Sequence, residues 1–150
     1  MLYLVSATPG TGKSCWVVKK LVEEFIEKPE YKGRPIYCNI AGLKIQGIKE
    51  PPDDFRECPD GSLIIYDEAQ DIEYYNSDSR ANNPVAKALS KHRHRGFDIW
   101  FITQDPKRLH NDILTMVEIH HHLERPYGAK LATIYHYRGC EKNPSAKTVK

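Results

Sequence analysis

The sequence predicts an α/β fold, a mainly parallel sheet with helices on both faces and an antiparallel hairpin at one edge. Three observations predict it. Short apolar runs alternate with helical patterns along most of the chain, the signature of parallel strands joined by crossovers. The run Leu63-Ile64-Ile65-Tyr66 has four bulky residues without alternation, as expected of a strand buried on both faces. Near the end, only Arg125 to Ala129, with Pro126 and Gly128 inside, separates two further runs. That link is too short for a parallel crossover, so it joins a hairpin.

The elements follow in order. Leu2 to Ser6 reads as a first strand. A helix should follow, with Val17, Val18, Leu21, Val22, Phe25 and Ile26 facing the sheet, and stop near Lys28 before Pro29. Arg34 to Ile40 is a second short strand. From Ala41 to Gly61, glycines and prolines punctuate a long irregular connection, with one short helical turn near Pro52–Phe55. The third strand ends in Asp67-Glu68. The stretch from Asp71 to Asn83 lacks an apolar period and, its Tyr74-Tyr75 pair aside, is expected to be a mobile surface segment. Asn83-Pro84 should cap a helix that runs from Val85 to Arg95 and stops at Gly96. Phe97 to Gln104 is the fourth strand, and Asp105-Pro106 caps a short helix through about Asn111. The final strands are expected at Met116–Glu124 and Lys130–Arg138.

Length and composition set bounds. A chain of 150 residues reads as one domain, taken as residues 1–140 with a frayed polar tail at 141–150. A net charge of +2 points to no particular partner. The four cysteines are scattered without a CxxC pair, which fits reduced thiols in a cytosolic compartment. The sequence opens on a strand pattern, so no secretory signal is expected, and no apolar run in it approaches the roughly 20 residues of a membrane helix.

The chemistry concentrates at strand ends. Ala7-Thr8-Pro9-Gly10-Thr11-Gly12-Lys13-Ser14 joins the first strand to the first helix. Small residues there let successive N–H groups converge on a phosphate, and the helix N-terminus adds partial positive charge. This is the strand–loop–helix of a P-loop NTPase. Thr8, Pro9, Gly10, Thr11, Gly12, Lys13, Ser14 and Cys15 are the expected contacts of a nucleoside triphosphate. Lys13 reaches the outer phosphates, and Ser14 can ligate Mg²⁺ opposite Asp67. Glu68, one residue on, can polarise a water for in-line attack. Gln104 ends the next strand and could bond the γ-phosphate or that water. Arg93 and Arg95 admit two readings: partners of a helix dipole, or an arginine finger reaching a neighbouring subunit's nucleotide in a homo-oligomer. Within His120-His121-His122 only the first and third share a strand face, so a structural role is expected rather than a zinc site.

The segments Thr8 to Ser14, Ile64 to Gln70 and His92-Arg93-His94-Arg95-Gly96-Phe97-Asp98-Ile99, with Ile102-Thr103-Gln104, resemble the zonular occludens toxin (Zot) family. That family includes the assembly ATPases of filamentous bacteriophages, and the resemblance spans roughly residues 2 to 124. It implies an ATPase that energises phage assembly and export through the host inner membrane, from its cytoplasmic face, with coat and secretion components as partners. The family's nucleotide-loop residues map onto Gly10, Gly12, Lys13 and Ser14, and its carboxylates onto Asp67 and Glu68. In the family a membrane span follows. None is present here, so the chain is expected to be a fragment or a truncated member. Two alternatives stay open: a DNA translocase or helicase, for which nucleic-acid binding lacks support in the charge pattern, and a nucleotide-binding module with little turnover.

Overall fold

A computed structural model describes residues 1–8, 10–28, 33–78, 83–91, 95–125 and 132–144. Seven strands form one sheet among the described residues: β1 (Leu2–Ala7), β2 (Ile36–Cys38), β3 (Ile48–Lys49), β4 (Leu63–Tyr66), β5 (Asp98–Thr103), β6 (Ile119–Glu124) and β7 (Thr133–Arg138). Their spatial order is β3-β2-β4-β5-β1-β6-β7. Every pairing is parallel except β6 with β7, the expected edge hairpin. The turn of that hairpin, residues 126–131, lies outside the described residues.

The strand pleat divides the core in two. Leu2, Leu4, Ile64, Tyr66, Ile99 and Phe101 point to one face, and Val5, Ala7, Leu63, Ile65, Trp100 and Ile102 to the other. On the second face lies α1 (Lys13–Leu21), which continues into one wider π-helical turn, Val22–Ile26. Its sheet-facing stripe is narrower than the sequence predicts: Val17, Leu21 and Phe25 are buried, while Ile26 is 40% exposed. Residues four apart stay on one helix face, and this row is the buried one, with Trp16 packing beside it on Trp100 and His121. The expected stop at Pro29 falls on residues 29–32, outside the described set.

The first face is covered by α2 (Pro84–Ala88), a 3-10 turn at Leu89–Lys91 and α3 (Asn111–Met116). Asn83 caps α2 as predicted, accepting from the N–H groups of Val85 and Ala86 at 3.1 and 3.2 Å. Gly96 takes φ 71°, the left-handed conformation a chain reversal needs. His92, Arg93 and His94 lie outside the described residues.

Three expectations need correction. The Asp71–Asn83 stretch is not a loose surface segment where it is described. Two 3-10 turns, Ala69–Asp71 and Glu73–Tyr75, fold it against the sheet, and Tyr75 is fully buried. The Tyr75 hydroxyl donates to the Asp53 carbonyl at 2.5 Å and accepts the Phe55 N–H at 3.3 Å, so the ring is held without an apolar period. The irregular connection after β2 contains a two-residue parallel strand, β3, too short to produce a pattern. Finally, Met116 ends a helix rather than starting a strand, because His110 caps α3 through its Nδ1 and the Asp112 N–H at 3.0 Å.

Among the described residues no helix is long and apolar enough to cross a membrane. The first residues after β7 are tied down: Gly139 N–H donates to the Glu118 carbonyl at 2.9 Å and Glu141 N–H to His120 Nδ1 at 3.1 Å.

Candidate nucleotide site

The carboxyl ends of β1, β5 and β4 lie side by side, with β5 between the other two. In an open parallel sheet this edge is where ligands bind. From β1 the chain enters the glycine-bearing loop. Gly10 and Gly12 adopt φ 77° and 78°, a region open to glycine and costly for other residues. Gly12 is the residue from which α1 departs. Thr8 N–H donates to the Leu123 carbonyl of β6 at 3.2 Å, and the Thr11 hydroxyl donates to the Thr8 carbonyl at 2.9 Å. Thr11, 5% exposed, therefore braces the loop from inside. Cys15 is exposed on the first turn of α1, and Pro9 lies outside the described residues.

From β4 come the two carboxylates. Asp67 Oδ2 accepts from the Ser14 hydroxyl at 3.4 Å, and Asp67 Oδ1 accepts from the Glu68 N–H at 3.0 Å. Burial pushes the Asp67 carboxyl above its usual range, with the Glu68 charge adding and the Glu68 N–H, Lys13 and Ser14 opposing. A hydroxyl and a carboxylate side by side at a phosphate loop are the hard-oxygen donors Mg²⁺ takes along with water, so Ser14 and Asp67 fit that ion. Glu68 turns back toward the loop, and its Oε1 lies 3.3 Å from Lys13 Nζ. Thus Lys13, Ser14, Asp67 and Glu68, expected together, do meet.

Gln104 follows β5 directly, on the same edge and between the two clusters, with its side chain exposed. Arg95 is elsewhere. It precedes β5 and sits beside Asp60 and Gly61, which precede β4, so it lies at the amino edge. Its guanidinium bonds Asp60 at 2.5 Å and the Arg56 and Cys58 carbonyls at 2.9 Å each, and stacks 4.6 Å from the Phe97 ring. Within one chain Arg95 is a wall of the amino edge and takes no part in that chain's own phosphate site.

Two site residues escaped the sequence. Asn39, just beyond β2, grips the backbone of Asp67 from both sides: its Oδ1 accepts the Asp67 N–H at 2.5 Å and its Nδ2 donates to the Asp67 carbonyl at 3.3 Å. A polar residue closing an apolar run was the available signal. Gln70 donates from Nε2 to Glu68 Oε2 at 2.6 Å.

Behind the loop a buried polar chain crosses from β6 to β1. Ser6 Oγ lies 2.6 Å from His120 Nε2 and 2.8 Å from His122 Nδ1. Because Glu141 N–H occupies His120 Nδ1, His120 carries its proton on Nε2 and donates to Ser6. Ser6 then donates to His122 Nδ1, and His122 Nε2 meets Glu124 at 3.2 Å. His121 projects to the other face, packed beside Trp16 and Trp100, and meets His136 of β7.

The chain is similar to solved P-loop structures over most of its length. A crystal structure of the N-terminal domain of zonular occludens toxin from Neisseria meningitidis matches with TM-score 0.80 and 28% identity, covering 95% of this chain and 86% of that one. The genome packaging NTPase B204 of Sulfolobus turreted icosahedral virus 2, in complex with ATP-gammaS, matches with TM-score 0.58 and 15% identity over 85% of this chain and 76% of that one. A KaiC-like protein of Pyrococcus horikoshii OT3 matches with TM-score 0.56 and 14% identity over 96% and 81%. These last two likenesses concern the fold alone. In sequence, the protein named "Putative assembly protein ORF301" of Pseudomonas phage Pf3 is 37% identical over 155 residues, covering 97% of this chain and 50% of the relative. This chain therefore spans about half the length of that relative. Residues 1–58 and 52–149 match the family described as "Zonular occludens toxin (Zot)", and with the P-loop fold and its carboxylate pair in place, the chain belongs to that family.

Proposed function

We propose that the chain binds Mg²⁺-ATP at the loop after β1 and hydrolyses it, and that this turnover powers filamentous phage assembly and export through the host inner membrane, from its cytoplasmic face. The observation that carries the reading is the convergence of Lys13 and Ser14 with Asp67 and Glu68 at one sheet edge. A family that takes in the Pf3 assembly protein's relatives supports the assembly role, and the nucleotide analogues bound by the B204 packaging NTPase support the ligand. The hydrolytic unit is taken as residues 1–140, working as a homo-oligomer with phage coat or secretion components as partners.

The residues divide the work. The loop N–H groups and Lys13 hold the β- and γ-phosphates. Ser14 and Asp67 would hold Mg²⁺, which would supply positive charge against the phosphate oxygens. Once Lys13 turns to a phosphate, Glu68 Oε1 is free to accept a proton. Water then attacks the γ-phosphorus in line, the bond to the β–γ bridging oxygen breaks, and the water's proton passes to Glu68. Gln104, between the two clusters, is placed to orient the γ-phosphate or the water. Arg95, or Arg93 outside the described residues, would act only on a neighbouring subunit's nucleotide.

Two substitutions test this. Lys13→Ala should abolish ATP binding. Glu68→Gln should leave ATP binding intact and lower turnover by about 100- to 10,000-fold, the range for losing a general base. A Lys13→Ala protein that hydrolyses ATP like the parent would refute the proposal.

A further inference from the structure

We infer that Gln70 is a positioning residue for hydrolysis, tethering one oxygen of Glu68 so that the other faces the phosphate site. This rests on the hydrolytic reading above and extends it to a residue outside the phosphate loop and the carboxylate pair. The two Glu68 oxygens have different partners: Oε1 is 3.3 Å from Lys13 Nζ, and Oε2 is 2.6 Å from Gln70 Nε2. A phosphate in the loop draws the Lys13 ammonium, its charge partner, whereas the neutral, buried Gln70 amide stays with Glu68 Oε2. The amide bond therefore persists while Oε1 becomes the free basic oxygen. A carboxylate with one oxygen held retains little freedom to rotate about its side-chain bonds, which is the positional control a proton acceptor requires.

The tether has a rigid base. Gln70 is 6% exposed, and its carbonyl accepts from Asn76 Nδ2 at 2.7 Å. The turns that carry it end on Tyr75, fully buried and hydrogen-bonded to Asp53. The amide orientation is set by chemistry, since turning its oxygen toward Glu68 would oppose two acceptors. In the observed orientation Gln70 Oε1 is buried without a partner among the described residues. An orphaned buried acceptor is costly, so the side chain gives up one hydrogen bond to keep the bond to Glu68.

The test compares the parent, Gln70→Met, Glu68→Gln and the double variant in steady-state ATP hydrolysis, with ATP binding and thermal melting measured alongside. Gln70→Met keeps the length of the side chain and removes the donor. Its kcat should fall about 10- to 100-fold with KM within about twofold of the parent. In the Glu68→Gln background the same substitution should change nothing further, because Gln70 acts through Glu68. A Gln70→Met protein with the parent's kcat, or one whose loss persists in the Glu68→Gln background, overturns the inference and leaves the hydrolytic reading standing. A Glu68→Gln protein as active as the parent overturns both.

Discussion

Acid should weaken this fold by an amount traceable to one imidazole. His120 is fully buried, and both its nitrogens are committed: Nδ1 accepts from Glu141 N–H, and Nε2–H donates to Ser6. A second proton on Nδ1 would set two donors against each other in a site water does not reach. Burial, with the neighbouring His122 and His121 adding, pushes the His120 pKa from 6.5 down to about 3. The folded state thus prefers the neutral ring. Its contribution is complete above pH 6.5 and is lost as pH falls from there toward about 3. Each pH unit below the unfolded value costs about 1.4 kcal/mol, so at about pH 5 the loss is about 2 kcal/mol. That figure holds for any folded pKa below about 4, because at about pH 5 only the unfolded chain binds the proton. Urea unfolding of the parent and of His120→Gln, at about pH 7.5 and about pH 5, isolates the effect. The variant should be the less stable at the higher pH, and the gap between the two should narrow by about 2 kcal/mol at the lower. His121, pushed down to about 4, adds to the acid sensitivity of both proteins equally. A gap that stays constant with pH would refute the proton assignment along the Glu141–His120–Ser6 chain.

Other substitutions probe the supports of the site. Tyr75→Phe leaves the Asp53 carbonyl and the Phe55 N–H without their hydroxyl partner and should cost about 1–3 kcal/mol in urea unfolding. Asn83→Ala removes the cap of α2 and should cost about 1–2 kcal/mol by the same measurement, with ATP turnover unchanged. Asn39→Ala releases the Asp67 backbone and should lower turnover about tenfold or more, read from kcat, with a smaller effect on ATP binding.

The elements legible in the sequence were those bounded by strong local chemistry. The strand–loop–helix at the start, the apolar run before Asp67, the Asn83 cap and the edge hairpin each carry a residue pattern that only one local structure satisfies. The order of the strands is different. β1, β4 and β5 are all apolar on both faces, so nothing in their composition says that β5 lies between the other two. The Asp71–Asn83 stretch was misread for a related reason. One ring, Tyr75, does the anchoring, and one residue has no period. Parity put His120 and His122 on a common face, but their meeting with Ser6 depends on the register that sets Ser6 opposite His122. Gln70 acts through one hydrogen bond within a turn and Asn39 through two between neighbouring strand ends, and neither leaves a trace in hydrophobic patterning.

The geometry of Glu68 explains how two adjacent carboxylates serve one site. In an extended strand, successive side chains point to opposite faces, so Asp67 and Glu68 would diverge. Glu68 instead takes φ 48° and ψ 48°, the one non-glycine residue with positive φ among those described. That conformation costs on the order of 1 kcal/mol for a residue with a side chain. It turns the chain so that Asp67 meets Ser14 while Glu68 meets Lys13. The meeting also needs long side chains. With β5 between them, the backbones of β1 and β4 are two strand spacings apart, about 10 Å. Lys13 and Glu68 close that distance to 3.3 Å, with 16% and 38% of their side chains exposed. A pair so accessible to water contributes on the order of 1 kcal/mol or less. A triphosphate offers Lys13 several charge-assisted bonds in exchange for that one contact. The ion pair therefore sets the spacing of the site without obstructing it, and the strain at Glu68 is the local cost of bringing base and cation to the same edge.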